Sequence, residues 1–140
     1  MNHLATERQL SWLDHVRLFN LLTVPRAGLN VPAEAAEQAL DLLDMAELVD
    51  PEAIAPNVVT MRSRVRLQRP RGDSFEVTLV YPAQADAADN SLSVFSPLGL
   101  SLLGARLDEE LQWQGPAGET HTARVAEIVY QPESSGDFNR

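Results

Sequence analysis

Between Leu10 and Leu22 the apolar residues recur at steps of three and four. Leu10, Trp12, Leu13, Val16, Phe19 and Leu22 mark one stripe of a helix. Thr6-Glu7-Arg8-Gln9 precedes the stripe with the form of a capping box. Pro25 ends it, because proline lacks the amide and crowds the preceding turn. Arg26 to Asn30 reads as a loop. Pro32 suits the first turn of a second helix, and Glu34 and Glu37 sit where the positive end of its dipole favours them. Ala36, Ala39, Leu40, Leu42, Leu43 and Ala46 extend the second apolar face, and Asp50-Pro51 stops it. Small alanines opposite Trp12 and Phe19 predict close antiparallel packing. Each arm has about 17 residues, which makes a hairpin of roughly 25 Å.

After Pro56 the period changes to two. Met61, Ser63, Val65 and Leu67 alternate with Arg62, Arg64 and Arg66, as on a half-buried strand. Pro70-Arg71-Gly72-Asp73 is a turn, and Ser74 to Tyr81 returns as a second strand. Ala83 to Asn90 reads as a polar loop, and Leu92 to Phe95 as a short strand. Ser96 and Pro97 suit the N-cap and first position of a short helix that Gly104 stops. Leu111 to Gln114 and Thr120 to Tyr130 are two more strands around the turn Gly115-Pro116-Ala117-Gly118. Gln131 to Arg140 reads as a polar tail. The pattern predicts an α+β fold, with a short N-terminal antiparallel helical hairpin followed by an antiparallel sheet with one short helix.

The 140 residues carry a formal charge of −9, which disfavours general adhesion to nucleic acid or an anionic membrane. The charge is uneven. Residues 57–82 hold five Arg against two acids, whereas residues 1–56 and 83–140 each hold three Arg against nine. No lysine occurs, so every fixed cation is a guanidinium suited to carboxylate or phosphate forks. The absence of cysteine removes disulfides, thiolate metal sites and cysteine nucleophiles. No apolar run approaches the ~20 residues of a membrane span, and the first 13 residues lack the apolar stretch of a signal peptide. A cytoplasmic protein is expected.

Few residues support catalysis. Gly99-Leu100-Ser101-Leu102-Leu103 imitates a nucleophile elbow, but the closing glycine falls one place late, at Gly104. His3, His15 and His121 lie in separate elements without metal-site spacing. Asp108-Glu109-Glu110 reads as a solvated turn, and Arg71-Gly72-Asp73 as a turn rather than an adhesion signal. No cofactor or metal is expected. Two features suit recognition instead. Arg62, Arg64 and Arg66 form a basic strip for electrostatic contacts, against the blander reading of a solvated face balanced by acids. Phe95-Ser96-Pro97-Leu98 puts large apolar residues at a helix start; Leu98 reads as core, and Phe95 as either core or partner contact.

A resemblance adds to this. The stretch Asn57 to Val65, then Leu79-Val80-Tyr81-Pro82-Ala83, then Leu92 to Gly99 with Leu102-Leu103-Gly104, and Tyr130-Gln131-Pro132-Glu133 with Gly136-Asp137, closely resembles the regulator of nucleoside diphosphate kinase family. That family lies within the wider Gre transcript-cleavage factor group. The resemblance covers most of residues 57–137, while the hairpin matches in layout more than in letters.

The resemblance implies a coiled-coil hairpin over residues 1–50, a linker over 51–56, an FKBP-like Gre-type domain over 57–130 and a tail over 131–140. It implies binding to bacterial RNA polymerase at the rim of the secondary channel, through Ser93, Phe95, Ser96, Pro97 and Leu98. Many Gre sequences carry an acid immediately before Ser-Pro, where this chain has Phe95; the turn after the helix has Leu107-Asp108 where the family usually has Gly-Asp. Gre factors present acids at the end of a long coiled coil to help hold a catalytic magnesium. Here the expected tip, Thr23 to Val31 with Pro25, Arg26 and Gly28, contains no Asp or Glu. The expectation is a non-enzymatic regulator that binds polymerase and competes with Gre factors without stimulating transcript cleavage. Sequence-specific nucleic-acid binding and membrane association are not expected. The alternative is an FKBP-like peptidyl-prolyl isomerase, which needs an aromatic-lined pocket drawn from Phe75, Tyr81, Phe95, Trp113, Tyr130 and Phe138.

Overall fold

The computed structural model describes residues 8–23 and 31–136. The expected tip residues Pro25, Arg26 and Gly28 lie outside the described residues, as do Thr6 and Glu7 of the expected capping box.

Strand β1 (Gln9–Ser11) leads directly into helix α1 (Trp12–Thr23), and helix α2 (Ala33–Met45) leads into strand β2 (Glu47–Val49). The helix start differs from the expected one. Ser11, not Thr6, caps α1, its hydroxyl accepting the Asp14 N–H at 3.1 Å. Gln9 is drawn away from any capping role because its side-chain oxygen accepts the Ala55 N–H at 3.3 Å. β1 and β2 pair in parallel, with Leu10 opposite Leu48. At 12 and 13 residues the helices are shorter than expected, spanning about 18–20 Å at the α-helical rise. His15, early in α1, meets the carbonyl of Leu43, late in α2, at 3.1 Å, the pairing of an antiparallel hairpin.

The apolar stripe also needs correction. α1 buries Asp14 and Leu18, while Trp12, Val16 and Phe19 stay exposed at about 45%. The face turned inward is fixed by Leu10 and Leu18, which join the main core and leave the opposite face to solvent.

Five strands form the main sheet in the order β5-β4-β3-β7-β6. They are β3 (Arg64–Gln68), β4 (Ser74–Val80), β5 (Ser91–Ser93), β6 (Glu110–Gln114) and β7 (Thr120–Tyr130), with helix α3 (Pro97–Leu102) between β5 and β6. Thr120 to Tyr130 forms the expected strand end to end. The sheet is mixed rather than purely antiparallel, because β5 runs parallel to β4, with Leu79 opposite Leu92. The 3₁₀ turns Pro82–Gln84 and Ala87–Asp89 carry the chain back so that it re-enters in the same direction. Two register shifts between β3 and β7 curl the sheet.

One face of the sheet is covered and the other is open, and β3 alternates accordingly, with Val65 and Leu67 buried between Arg64, Arg66 and Gln68. Val65, Leu67, Leu79 and Val125 are fully buried and pack in one cluster with Leu102 and Leu103, and with Leu10, Leu18, Ala39 and Leu43 of the hairpin. The hairpin base therefore shares the core of the sheet. Residues 51–56 include a 3₁₀ turn, Pro51–Ala53, with Pro51 and Ile54 buried. The start of the expected polar tail is likewise packed. The Gln131 side-chain amide donates to the carbonyls of Ala55 and Val58 at 2.8 and 2.7 Å. Those buried carbonyls need donors, and Gln131 supplies them.

Candidate functional site

The Ser93 to Leu98 segment is a tightly tied turn. Ser93 closes β5, and its carbonyl accepts both the N–H and the hydroxyl of Ser96 at 3.1 and 2.7 Å. Ser96 in turn accepts the Gly99 N–H at 3.1 Å, with Pro97 at the first helical position, as its sequence predicts. Gly99 is required by close approach, since a Cβ there would fall 2.1 Å from the Ser93 carbonyl oxygen and 2.8 Å from that of Val94. Phe95 and Leu98 are both buried, so the open reading of Phe95 resolves to core. The accessible residues of the segment are half-buried Ser93 and Ser96 and exposed Pro97.

Arg8 holds this helix from behind, a role that local sequence does not signal. Its guanidinium donates to the carbonyls of Ser101 and Leu103 at 3.0 and 3.1 Å and to Glu109 at 3.0 Å. Burial pushes the Arg8 pKa down, and Glu109 opposes that shift.

The expected arginine strip divides into three environments. Arg62 is not on the strand but in the turn before it, with a left-handed backbone (φ 67°). Its Nε donates to Gln84 at 3.3 Å, and its guanidinium lies 5.5 Å from the centre of the Tyr81 ring. Arg64 and Arg66 sit on the open face of β3, paired with Glu76 of β4 and Glu127 of β7, each at 3.2 Å. Arg62 and Arg64 line a groove of about 330 Å³ together with Thr78, Gln84, Ser91 and Tyr130. Arg66 does not line it.

Behind Arg62 lies a buried polar junction that sequence reading missed. The Asp14 carboxylate, on the inward face of α1, accepts the Met61 N–H at 3.2 Å. Burial, reinforced by Glu133, pushes its pKa up to about 7, against the pull of the Met61 N–H, Arg17 and Arg62. Burial and the neighbouring Asp14 push Tyr81 up to about 12. The Thr60 hydroxyl donates to Glu133 at 2.7 Å. A lone acid inside an apolar stripe was the available signal, because α1 could only accommodate it facing a donor.

The remaining chemistry-bearing residues have structural partners. The Ser101 hydroxyl donates to the Gln112 carbonyl at 3.0 Å. His121 stacks on Trp113 at 5.5 Å and lies 3.1 Å from Glu119. Asp108 receives Arg124 at 2.7 Å. Among the described residues no group of His, Asp and Glu is arranged to hold a metal ion. No helix among them is long and apolar enough to cross a membrane. The aromatics are dispersed: Phe75 lies under Arg69, Phe95 in the core and Trp113 against His121.

Comparison with known proteins places this geometry. The family model described as "Transcription elongation factor, GreA/GreB, C-term" matches residues 54–130, which span the sheet, the Ser93 to Leu98 turn and α3. The regulator of nucleoside diphosphate kinase of Escherichia coli strain K12 is 39% identical over 128 residues, covering 90% of this chain and 91% of that relative. Transcription elongation factor GreB of Yersinia pestis is 31% identical over 90 residues, covering 64% of this chain and 52% of its own length. Among solved structures, the prokaryotic transcription elongation factor GreA/GreB from Nitrosomonas europaea superposes with a TM-score of 0.74 at 36% identity, over 89% of this chain and 98% of that one. Matched by the family model over the whole sheet and by the Escherichia coli regulator along nearly its full length, the chain belongs to the GreA/GreB transcription elongation factor family, within the branch of the regulator of nucleoside diphosphate kinase.

Proposed function

We propose that this transcription-factor-like regulator binds bacterial RNA polymerase at the rim of the secondary channel and competes there with Gre factors, without stimulating transcript cleavage. The observation that carries the reading is the Ser93 to Pro97 turn. It is rigidly tied, presents Ser93, Ser96 and Pro97 outward, and falls inside the segment matched by the family model. Phe95 and Leu98 serve this surface from beneath by filling the core. Within this reading the sheet and α3 correspond to the FKBP-like module of Gre factors. Residues Thr23 to Val31 contain no Asp or Glu, and the nearest downstream acid, Glu34, lies inside the first turn of α2, so the expected tip itself brings no carboxylate pair to a magnesium ion. The described helices, of 12 and 13 residues, are also short. The dispersed aromatics and the elongation-factor relatives favour this regulator over a peptidyl-prolyl isomerase.

The test has two arms. Wild type should be retained by immobilised core polymerase, and Pro97→Ala should weaken retention while its melting temperature holds. On backtracked complexes the pure protein should release no cleavage product and should reduce cleavage stimulated by added GreB. Absence of wild-type retention, or cleavage by the protein alone, overturns the proposal.

A further inference from the structure

We propose that the groove between β3, β4 and β5 binds a small phosphoryl anion, of the size of pyrophosphate or a diphosphate ester. It goes beyond polymerase docking and needs no polymerase for its test. The groove lies in the basic stretch of an otherwise acidic chain, residues 57–82, where five arginines face two acids. Its volume of about 330 Å³ suits a small ligand. Every polar side chain on its wall can donate a hydrogen bond: the guanidiniums of Arg62 and Arg64, the hydroxyls of Thr78, Ser91 and Tyr130, and the Gln84 amide. A carboxylate has only two oxygens to meet them, whereas a phosphoryl group brings three and more charge.

Arg62 is the centre of the site. A left-handed backbone is costly for a long side chain and persists where surrounding contacts impose it. Here the Arg62 N–H donates to the Leu79 carbonyl, and the preceding N–H, of Met61, is held by Asp14. The guanidinium is steadied by Gln84 and by the Tyr81 ring. Among the described residues no carboxylate forms an ion pair with Arg62, whereas Arg64, Arg66, Arg69, Arg71 and Arg124 each have one. The fold thus fixes a cation at a groove with no carboxylate in ion-pair contact, the Asp14 carboxyl acting on it only from its buried place behind the turn. Arg64, tethered to Glu76 through Nε, supplies the second guanidinium.

The experiment is a ¹H–¹⁵N NMR titration of the full chain with pyrophosphate at constant ionic strength. Glutarate is the carboxylate probe. Pyrophosphate should give saturable shifts clustered at Arg62, Arg64, Thr78, Gln84 and Ser91, and glutarate should not. Arg64→Gln, and Arg62→Asn, a residue that tolerates left-handed backbone, should each weaken binding about tenfold. Arg66→Gln, on the same strand face outside the groove, should leave it unchanged. No saturable shift up to about 10 mM overturns the proposal. So does equal binding of glutarate, which would assign the groove to carboxylates, or equal weakening by Arg66→Gln.

Discussion

The carboxylate of Asp14 accepts the backbone N–H of Met61 at 3.2 Å, joining the hairpin to the turn that opens the sheet. The contact is buried, and the next residue, Arg62, has the left-handed backbone that faces the groove. One hydrogen bond therefore links the orientation of α1 to the placement of a cation just before the central strand of the sheet. It also sets a carboxyl where ionisation is costly, which gives the junction a pH dependence.

Burial raises the Asp14 pKa to about 7 in the folded state, against about 3.9 unfolded. The folded protein thus holds this proton more tightly than the unfolded chain does. The stabilisation is fully present below the unfolded pKa and is lost as pH rises to the folded one. The loss through this group is of the order of a few kcal/mol. Asp14→Asn keeps an oxygen for the Met61 N–H and removes the ionisation. It should match wild type near pH 4 and melt about 5 °C or more higher at pH 8. Parallel stability–pH curves for the two proteins, from denaturant melts, would refute the assignment.

Arg8 offers a different balance. Its ion pair with Glu109 is partly exposed, with the Glu109 side chain 36% accessible, so the pair itself is worth about 0.5–1 kcal/mol. The larger effect lies in the Ser101 and Leu103 carbonyls that Arg8 satisfies. Arg8→Ala should cost about 2–3 kcal/mol, and Glu109→Gln under about 1 kcal/mol. Arg8→Lys should fall between, because one ammonium nitrogen replaces the two guanidinium nitrogens that divide between the carbonyls and Glu109. A double-mutant cycle in urea measures the split; coupling as large as the full Arg8→Ala cost would reverse it.

How much of this was legible in the sequence follows the range of the interaction responsible. Thr120 to Tyr130 and the Ser96-Pro97 helix start depend on local alternation and capping, and both were readable. The start of α1 was not. Thr6 to Gln9 and Ser11 both offer capping chemistry, and the choice was made by Ala55, 46 positions beyond Gln9, which takes the Gln9 side chain. Parallel β5 escaped because two turns of polar sequence redirect the strand. Helical spacing placed Trp12, Val16 and Phe19 on one face but could not say whether that face turned inward. At the candidate site, Ser96 and Pro97 were readable as a helix start, whereas Ser93 entered only through the family resemblance. The Arg8 clamp spans more than 90 positions and leaves no local trace.

Ser96 tests the turn between β5 and α3 by its cap alone. Its hydroxyl accepts the Gly99 N–H and donates to the Ser93 carbonyl. Ser96→Ala should cost about 1 kcal/mol. Ser96→Asp retains the acceptor at the helix N-terminus but loses the donor to Ser93, so it should recover only part of that loss. Chemical denaturation of the three proteins orders them; an alanine variant as stable as wild type would show that the cap is idle.

Gly99 is the most demanding position in that turn. Its φ is not left-handed, so backbone preference is not what excludes a side chain. Exclusion is steric: the built Cβ falls 2.1 Å from the Ser93 carbonyl oxygen. The obstacle is backbone, which cannot rotate aside as a side chain can. That carbonyl is also the acceptor for both groups of Ser96, so displacing it breaks the turn from two directions. Gly99→Ala should therefore destabilise by about 2–4 kcal/mol, the range of overpacking joined to lost hydrogen bonds. Gly72→Ala is the informative control, because its φ of 106° is left-handed while its Cβ meets nothing within 4 Å. Its penalty is conformational strain alone, about 1–2 kcal/mol. In thermal melts Gly99→Ala should fall further than Gly72→Ala and should alone shift the amide resonances of Ser93 to Ser96. The opposite ranking would mean that the β5–α3 junction gives way to a methyl group, and that the turn is not the rigid element its hydrogen bonds describe.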